Sequence, residues 1–260
     1  MILSMVLKRR QKTALWLFII LAAAVFLSQL ILPGGIIGVV SNNSRLVPIY
    51  FVETTEKKVA ISFDASWGSE FTPRLLETLQ ENDIKTTFFL TGFWIEKYPD
   101  LVKKIADEGH ELGNHTATHP HLNTLDKESV KSELERVHAS LHQLTGKEPY
   151  LFRPPFGEYS NKVIEAASDL NYLTIQWSID SLDWKELGKD TIVKRVTDQL
   201  HPGAIVLFHN NGRYTADALP EILKFMKDNG YTVVPISELL YKDNYYIDNS
   251  NGAQRKKADT

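Results

Sequence analysis

Five short runs rich in β-branched and aromatic residues, VAISF, TTFFL, YLTIQWSI, AIVLF and YTVVPI, recur between Val59 and Ile236, each separated from the next by sequence of helical character. This alternation constrains the fold more than any other feature. Strand-helix repeats bury their apolar faces as a parallel sheet covered by helices, either doubly wound or closed as a barrel. Apolar periodicity predicts helices at about 72–81, 98–108, 127–144, 161–170, 191–200 and 216–229, several followed by a stop such as Asn82, Gly109, Gly146 or Gly230. Two weaker strands, at 110–113 and 150–152, fill the gaps. No GxGxxG or GxxxxGKS/T loop follows an early strand, which argues against a nucleotide-binding version of the fold.

A chain of 260 residues, 43% hydrophobic, can bury one large core, so one main domain is expected. The formal net charge of −3 offers no polyanion-binding surface, and nucleic acid is excluded as a partner. Cysteine is absent, which leaves His, Asp and Glu as the strong metal ligands. At the N-terminus, Lys8, Arg9, Arg10 and Lys12 lie in a basic segment, 1–13, followed by 14–32, a span free of formal charge and long enough to cross a bilayer. The basic side faces the cytoplasm, so the expected arrangement is a single-pass cell-membrane anchor with the remainder extracytoplasmic. A cleaved signal peptide is the rival, but Ala22, Ala23 and Ala24 sit mid-span rather than at its end. Residues 33–56 read as a linker and N-terminal strand, and 242–260 as a loose polar tail.

Chemistry-bearing residues fall at the C-terminal ends of the expected strands: Asp64, His115 and His119, Arg153, Asp180 and Asp183, and His209. In a parallel α/β protein those ends share one face, where active sites are built. Any one of them has a duller explanation, such as a turn aspartate, a helix cap or a satisfied core imidazole. Their recurrence at the same end does not. The segment GNHTATHPHL places His115 and His119 four residues apart, on one face of a helical turn ending at His119, because Pro120 disfavours helix for the residue before it. His110 and His121 read as surface or supporting residues.

These residues resemble the motifs of the polysaccharide deacetylases of the NodB-homology, carbohydrate esterase type. FDASWG, HTATH, RPPFG, DSLDW and LFH match the five family motifs in order, over 57–241. With GFWIEKYPD they look most like the sporulation branch, membrane-anchored deacetylases of spore-cortex peptidoglycan. The resemblance implies a distorted (β/α) barrel of about seven parallel strands and N-deacetylation of a cell-wall glycan by a monomeric enzyme using a divalent metal, zinc or else cobalt or manganese. It implies His115 and His119 as metal ligands, Asp64 as general base, Arg153 orienting it, Asp183 paired with His209, and His209 as general acid. Trp184 and Leu207 would shape the acetyl slot, with Phe156 and Trp67 as further substrate contacts, although each aromatic alone reads as core packing.

One position departs from the pattern. Where the family carries a second aspartate after the base, Ala65 stands here, and a methyl group cannot coordinate a cation. The metal should be weakly held, its open positions filled by water or by an oxygen such as that of Ser66. The alternatives are a glycan-binding protein of this fold with little or no turnover, and an amidase acting on something other than an N-acetyl sugar.

Overall fold

The computed structural model describes residues 45–258. The expected anchor at 14–32 lies outside them; among the described residues no helix is long and apolar enough to cross a membrane. Seven parallel strands form the main sheet in the order β6-β5-β4-β3-β2-β8-β7. They are β2 (Lys58–Ala65), β3 (Thr87–Leu90), β4 (Glu111–Asn114), β5 (Leu151–Phe152), β6 (Leu173–Thr174), β7 (Ile179–Asp180) and β8 (Ile205–His209), while β9 (Thr232–Val233) pairs with the start of β2.

The sheet is a half-barrel. Its edge strands β6 and β7 are neighbours in sequence, and the run YLTIQWSI, read as one strand, supplies both. Residues 175–178 cross from one edge to the other: Ile175 N still donates to Phe152 O, and Ser178 N already donates to Ile205 O. The N-terminal segment fills the gap, with Ile49 N donating to Thr174 O and Gln176 N to Ile49 O. The opening is closed by covalent chain and a third segment rather than by direct pairing of the edges.

Both faces of the sheet are buried, which is why its strands read as continuous apolar runs. Along β2, Val59, Ile61, Phe63 and Ala65 join the cluster under the helices, with Phe88 and Leu90 of β3 and Val206 and Phe208 of β8. Strand alternation turns Ala60, Ser62 and Asp64 the other way, toward the interior where Ala60 packs with Ile49, Phe89, Leu151, Ile175 and Ile205. The interior polar group Ser62 Oγ is satisfied by Val206 O at 2.9 Å.

The expected helices form at Thr72–Glu81, Pro99–Asp107, Lys127–Thr145, Asn161–Asp169, Lys189–Thr197 and Thr215–Asp228, and short helices Gly92–Lys97 and Ile236–Leu239 add to them. The longest shows clear end signals: the Asp126 side chain accepts from Ser129 N at 2.7 Å, and Gly146 closes the other end at φ 68°.

The segment 242–260, expected as a loose tail, carries two strands, β10 (Tyr245–Ile247) and β11 (Ala253–Lys256). They form an antiparallel hairpin, and β11 pairs in parallel with β1 (Phe51–Val52). Backbone pairing and one buried amide hold it, since the Gln254 side chain accepts from Tyr241 N and donates to Tyr241 O. No apolar alternation marks such a strand, but the DNSNG turn was a legible hairpin signal. The neighbouring turn at Gly203 (φ 76°) has no alternative residue, because a Cβ there would lie 1.7 Å from Val52 O.

His110, expected at the surface or in support of the site, is buried at the start of β4, its ring 5.4 Å from that of Phe88. Its Nδ1 accepts from Thr86 N at 3.2 Å, which requires the neutral ring. Burial, with Lys85 and Lys147 adding to it, lowers this imidazole to about 4. The folded value lies below the unfolded one, so the stabilisation is complete above pH 6.5 and erodes as the pH falls toward 4. We expect His110→Asn, whose Oδ1 keeps the acceptor, to lose about 2 kcal/mol less stability than the native chain between pH 7.5 and 4.5, read from urea midpoints.

Candidate active site

The parallel register brings the dispersed residues together. Asp64 is the residue paired with His209 across β2 and β8, and Leu207, two residues earlier on the same face of β8, pairs with Asp180 of β7. On the other side, Asn114 of β4 pairs with Phe152 of β5, which sets His115 beside Arg153.

Arg153, fully buried, donates from Nη1 to Asp64 Oδ1 at 2.8 Å and from Nη2 to Gln176 O at 3.2 Å. Its guanidinium lies over the Phe89 ring, 4.2 Å from the centroid, which offsets part of the cost of burying the charge. Burial on its own would raise the Asp64 carboxyl, but the charges of Arg153, His115 and His209 bring it below the usual carboxylate range. Asp64 is therefore ionised at neutral pH, with Oδ1 held by Arg153 and Oδ2 3.5 Å from His115 Nε2.

His115 Nδ1 lies 2.7 Å from Arg153 O. A carbonyl only accepts, so Nδ1 carries the proton and Nε2 presents a lone pair on the Asp64 side. The His119 ring stands edge-on to it at 4.9 Å, with Nδ1 buried and unpartnered. Burial lowers both imidazoles: His115 falls below its ordinary value, and His119, with the charge of His115 adding to burial, falls to about 3. Both are neutral at pH 7, the state that binds metal. The loop itself departs from the expected helical turn. Thr116 and His119 take φ 69° and 55°, and Asn114 Oδ1 accepts from Thr116 N at 3.0 Å.

On the opposite wall, His209 Nδ1 is 2.7 Å from Asp183 Oδ1. The Asp183 carboxylate is fully used, because its Oδ2 accepts from His209 N and Thr215 Oγ1 and its Oδ1 also accepts from Trp184 N. Burial alone would lower the His209 imidazole; the bond and charge of Asp183, joined by Asp64 and Asp180, outweigh it and leave it above the ordinary value. Asp180 Oδ1 accepts from Leu182 N at 2.8 Å, shaping the turn that leads to Asp183.

The aromatic residues expected as substrate contacts are exposed rather than packed in the core: Trp67 63%, Phe156 55% and Trp184 57%. Trp67 and Phe156 flank His119, with ring centroids 4.8 and 4.5 Å away, so two apolar faces stand at the mouth of the site. His121 is exposed as expected, stacked on Phe156 and 3.1 Å from Glu158. Three supporting residues escaped the sequence reading. Trp94 Nε1 and Asn210 Nδ2 both donate to Gly68 O and tether the Trp67 turn, while Thr215 completes the shell around Asp183. Trp94 and Asn210 lie inside GFWIEKYPD and LFHNN, which was the available signal.

Among the described residues, no group of three or more His, Asp or Glu side chains is arranged to hold a metal ion. Ala65 is fully buried within the helix-side apolar cluster, which also contains Ala117 of the histidine loop. The two neutral imidazoles, one with a fixed tautomer and the other with an orphaned buried nitrogen, fit a cation held at two corners. They do not complete a four-ligand protein shell.

Residues 51–175 match the polysaccharide deacetylase family profile. A peptidoglycan-N-acetylmuramic acid deacetylase, PdaA of Bacillus subtilis, is 36% identical over 74% of this chain and 75% of its own length. A peptidoglycan-N-acetylglucosamine deacetylase of Bacillus cereus is 36% identical over 70% of this chain and 68% of its own. The crystal structure of BA3943 from Bacillus anthracis, described as a CE4 family pseudoenzyme, superposes with a TM-score of 0.72 at 36% identity, covering 74% of this chain and 68% of that one. With a shared fold and relatives at this identity and coverage, the chain belongs to the polysaccharide deacetylase family.

Proposed function

We propose that the protein is a metal-dependent peptidoglycan N-deacetylase with a weakly held cation, anchored to the cell membrane by residues 14–32 and facing outward. The observation that carries this reading is a pair of oppositely tuned groups on neighbouring strands: Asp64, brought below the usual carboxylate range by Arg153, and His209, raised above the ordinary imidazole value by Asp183. Deacetylation needs both, since water must lose a proton and the departing amine must gain one. Asp64 Oδ2, the oxygen not bound by Arg153, accepts the proton of the attacking water. His209 Nε2, opposite the nitrogen bound to Asp183, delivers a proton to the amide nitrogen as the C–N bond breaks, releasing acetate and a free amine. A divalent cation on His115 and His119 would polarise the acetyl oxygen and acidify bound water. The exposed faces of Trp67, Phe156 and Trp184 suit sugar rings, and Leu207 lies on the same face of β8 as His209.

The relatives' activities support a cell-wall N-acetyl sugar as substrate, and the GFWIEKYPD and LFHNN segments favour the sporulation branch. The full-length chain should release acetate from peptidoglycan; chelation should reduce the rate at least about tenfold, and zinc, cobalt or manganese should restore it. Release insensitive to chelator would defeat the metal-dependent reading. A second reading, glycan binding without turnover, is favoured by Ala65 and by the pseudoenzyme neighbour. It predicts retention on peptidoglycan with no acetate above blank under any metal.

A further inference from the structure

The loop carrying both imidazoles is backbone-strained, because a left-handed β-branched residue such as Thr116 persists only where its surroundings impose it. Two clamps impose it. On one side the N-terminus of the helix Gly92–Lys97 presses against the loop: Gly92 N donates to Thr116 O at 3.0 Å and Phe93 N to Ala117 O at 3.2 Å. The approach is so close that a Cβ on Gly92 would stand 2.9 Å from Ala117 Cα and O.

The other clamp is a single carboxylate. Glu133, on the helix Lys127–Thr145, accepts from Thr118 N at 2.7 Å with Oε2 and from Thr118 Oγ1 at 3.0 Å with Oε1. Its side chain is only 12% exposed, and the nearest cation, Arg136 Nη1, is 3.7 Å from Oε1. Charge-assisted bonds of this kind are about twice as strong as neutral ones. They seize the residue next to His119, whose own N–H is held only by Thr116 Oγ1 at 3.1 Å within the same loop. Thr118 is exposed, so without Glu133 its amide and hydroxyl would turn to water and the chain leading into His119 would lose its tie to the helix.

We propose that Glu133 is a positioning residue for the imidazole pair: by gripping Thr118 at two atoms it fixes left-handed His119 beside His115, and thereby sets the affinity of the pair for a divalent cation. The inference rests on the metal-dependent reading above. It carries more weight here than in a site with a third protein ligand, because Ala65 contributes no donor and geometry must come from the loop.

The test uses the full-length chain in detergent, with zinc as the probe. Glu133→Ala should weaken zinc binding by calorimetry about tenfold or more, and Glu133→Gln, which retains one acceptor oxygen, should weaken it less. In chelator, amide hydrogen exchange at 116–119 should accelerate in Glu133→Ala while β2 and β3 exchange as in the native chain. Zinc affinity within twofold of native, or unchanged exchange in the loop, overturns the proposal. If the native chain takes up no zinc, the metal-dependent reading fails by itself, and the exchange measurement still decides whether Glu133 holds the loop. Should Glu133→Ala not fold, Thr118→Val, which removes the hydroxyl half of the grip, should shift both readouts in the same direction by a smaller factor; no shift overturns the proposal equally.

Discussion

In the Asp64→Asn variant, acetate release from peptidoglycan is expected to fall by about 10² to 10⁴, the usual span for removing a positioned general base. The amide keeps an oxygen to accept from Arg153 Nη1 but cannot take a proton from water. Two consequences separate this from collapse of the site. Retention on insoluble peptidoglycan should stay within a few fold of native, because Trp67, Phe156 and Trp184 present their faces independently of Asp64. Thermal stability should fall, because the fully buried Arg153 loses the carboxylate it is paired with; breaking a buried pair from one side costs about 3–5 kcal/mol. A variant that retains more than a tenth of native turnover would show that another group takes the proton.

The second large effect runs in the opposite direction. Ala65→Asp should raise zinc affinity more than about tenfold and increase acetate release, since a carboxylate that reaches past the end of β2 to the two imidazoles would make the three-ligand set of a hydrolytic zinc site. The metal-free variant should be less stable than the native chain, because position 65 is fully buried among apolar residues and an unpaired charge there is costly. Added zinc should reverse the order of thermal midpoints, because a ligand that binds only the folded state stabilises it by mass action. Unchanged zinc affinity would mean that the side chain at 65 points away from the imidazoles, and that water or Ser66 already serves the cation.

The alternation of strands and helices was readable because both faces of the sheet are buried, so β2, β3 and β8 are apolar runs that water could not solvate. The five motif segments were readable for a related reason: chemistry requires fixed residue types at strand ends, as Asp64, Arg153 and His209 show. The polar hairpin 245–256 was not readable from apolar pattern, since its strands are held by backbone pairing and the Gln254 amide. The split of YLTIQWSI into β6 and β7 was hidden because each half alone has ordinary β character; only the partners, Phe152 on one side and Ile205 on the other, divide it. The histidine loop was misjudged for its spacing. HxxxH suggests one face of a helix, but Pro120 and the grips of Asn114, Gly92 and Glu133 hold Thr116 and His119 left-handed instead.

By itself, then, the order of residues determined the parallel α/β architecture, which acidic, basic and imidazole side chains stand at the C-terminal strand ends, and that position 65 carries a methyl group with no donor atom, because these depend on local pattern and on which atoms a side chain carries. Tertiary structure alone decided which oxygen of Asp64 is left by Arg153, which nitrogen of His115 holds the proton, and that the charges of Arg153 and Asp183 outweigh burial, lowering Asp64 and raising His209. Those properties depend on distances between strands far apart in sequence, and electrostatic energy among buried groups is set by separation and desolvation rather than by sequence neighbours.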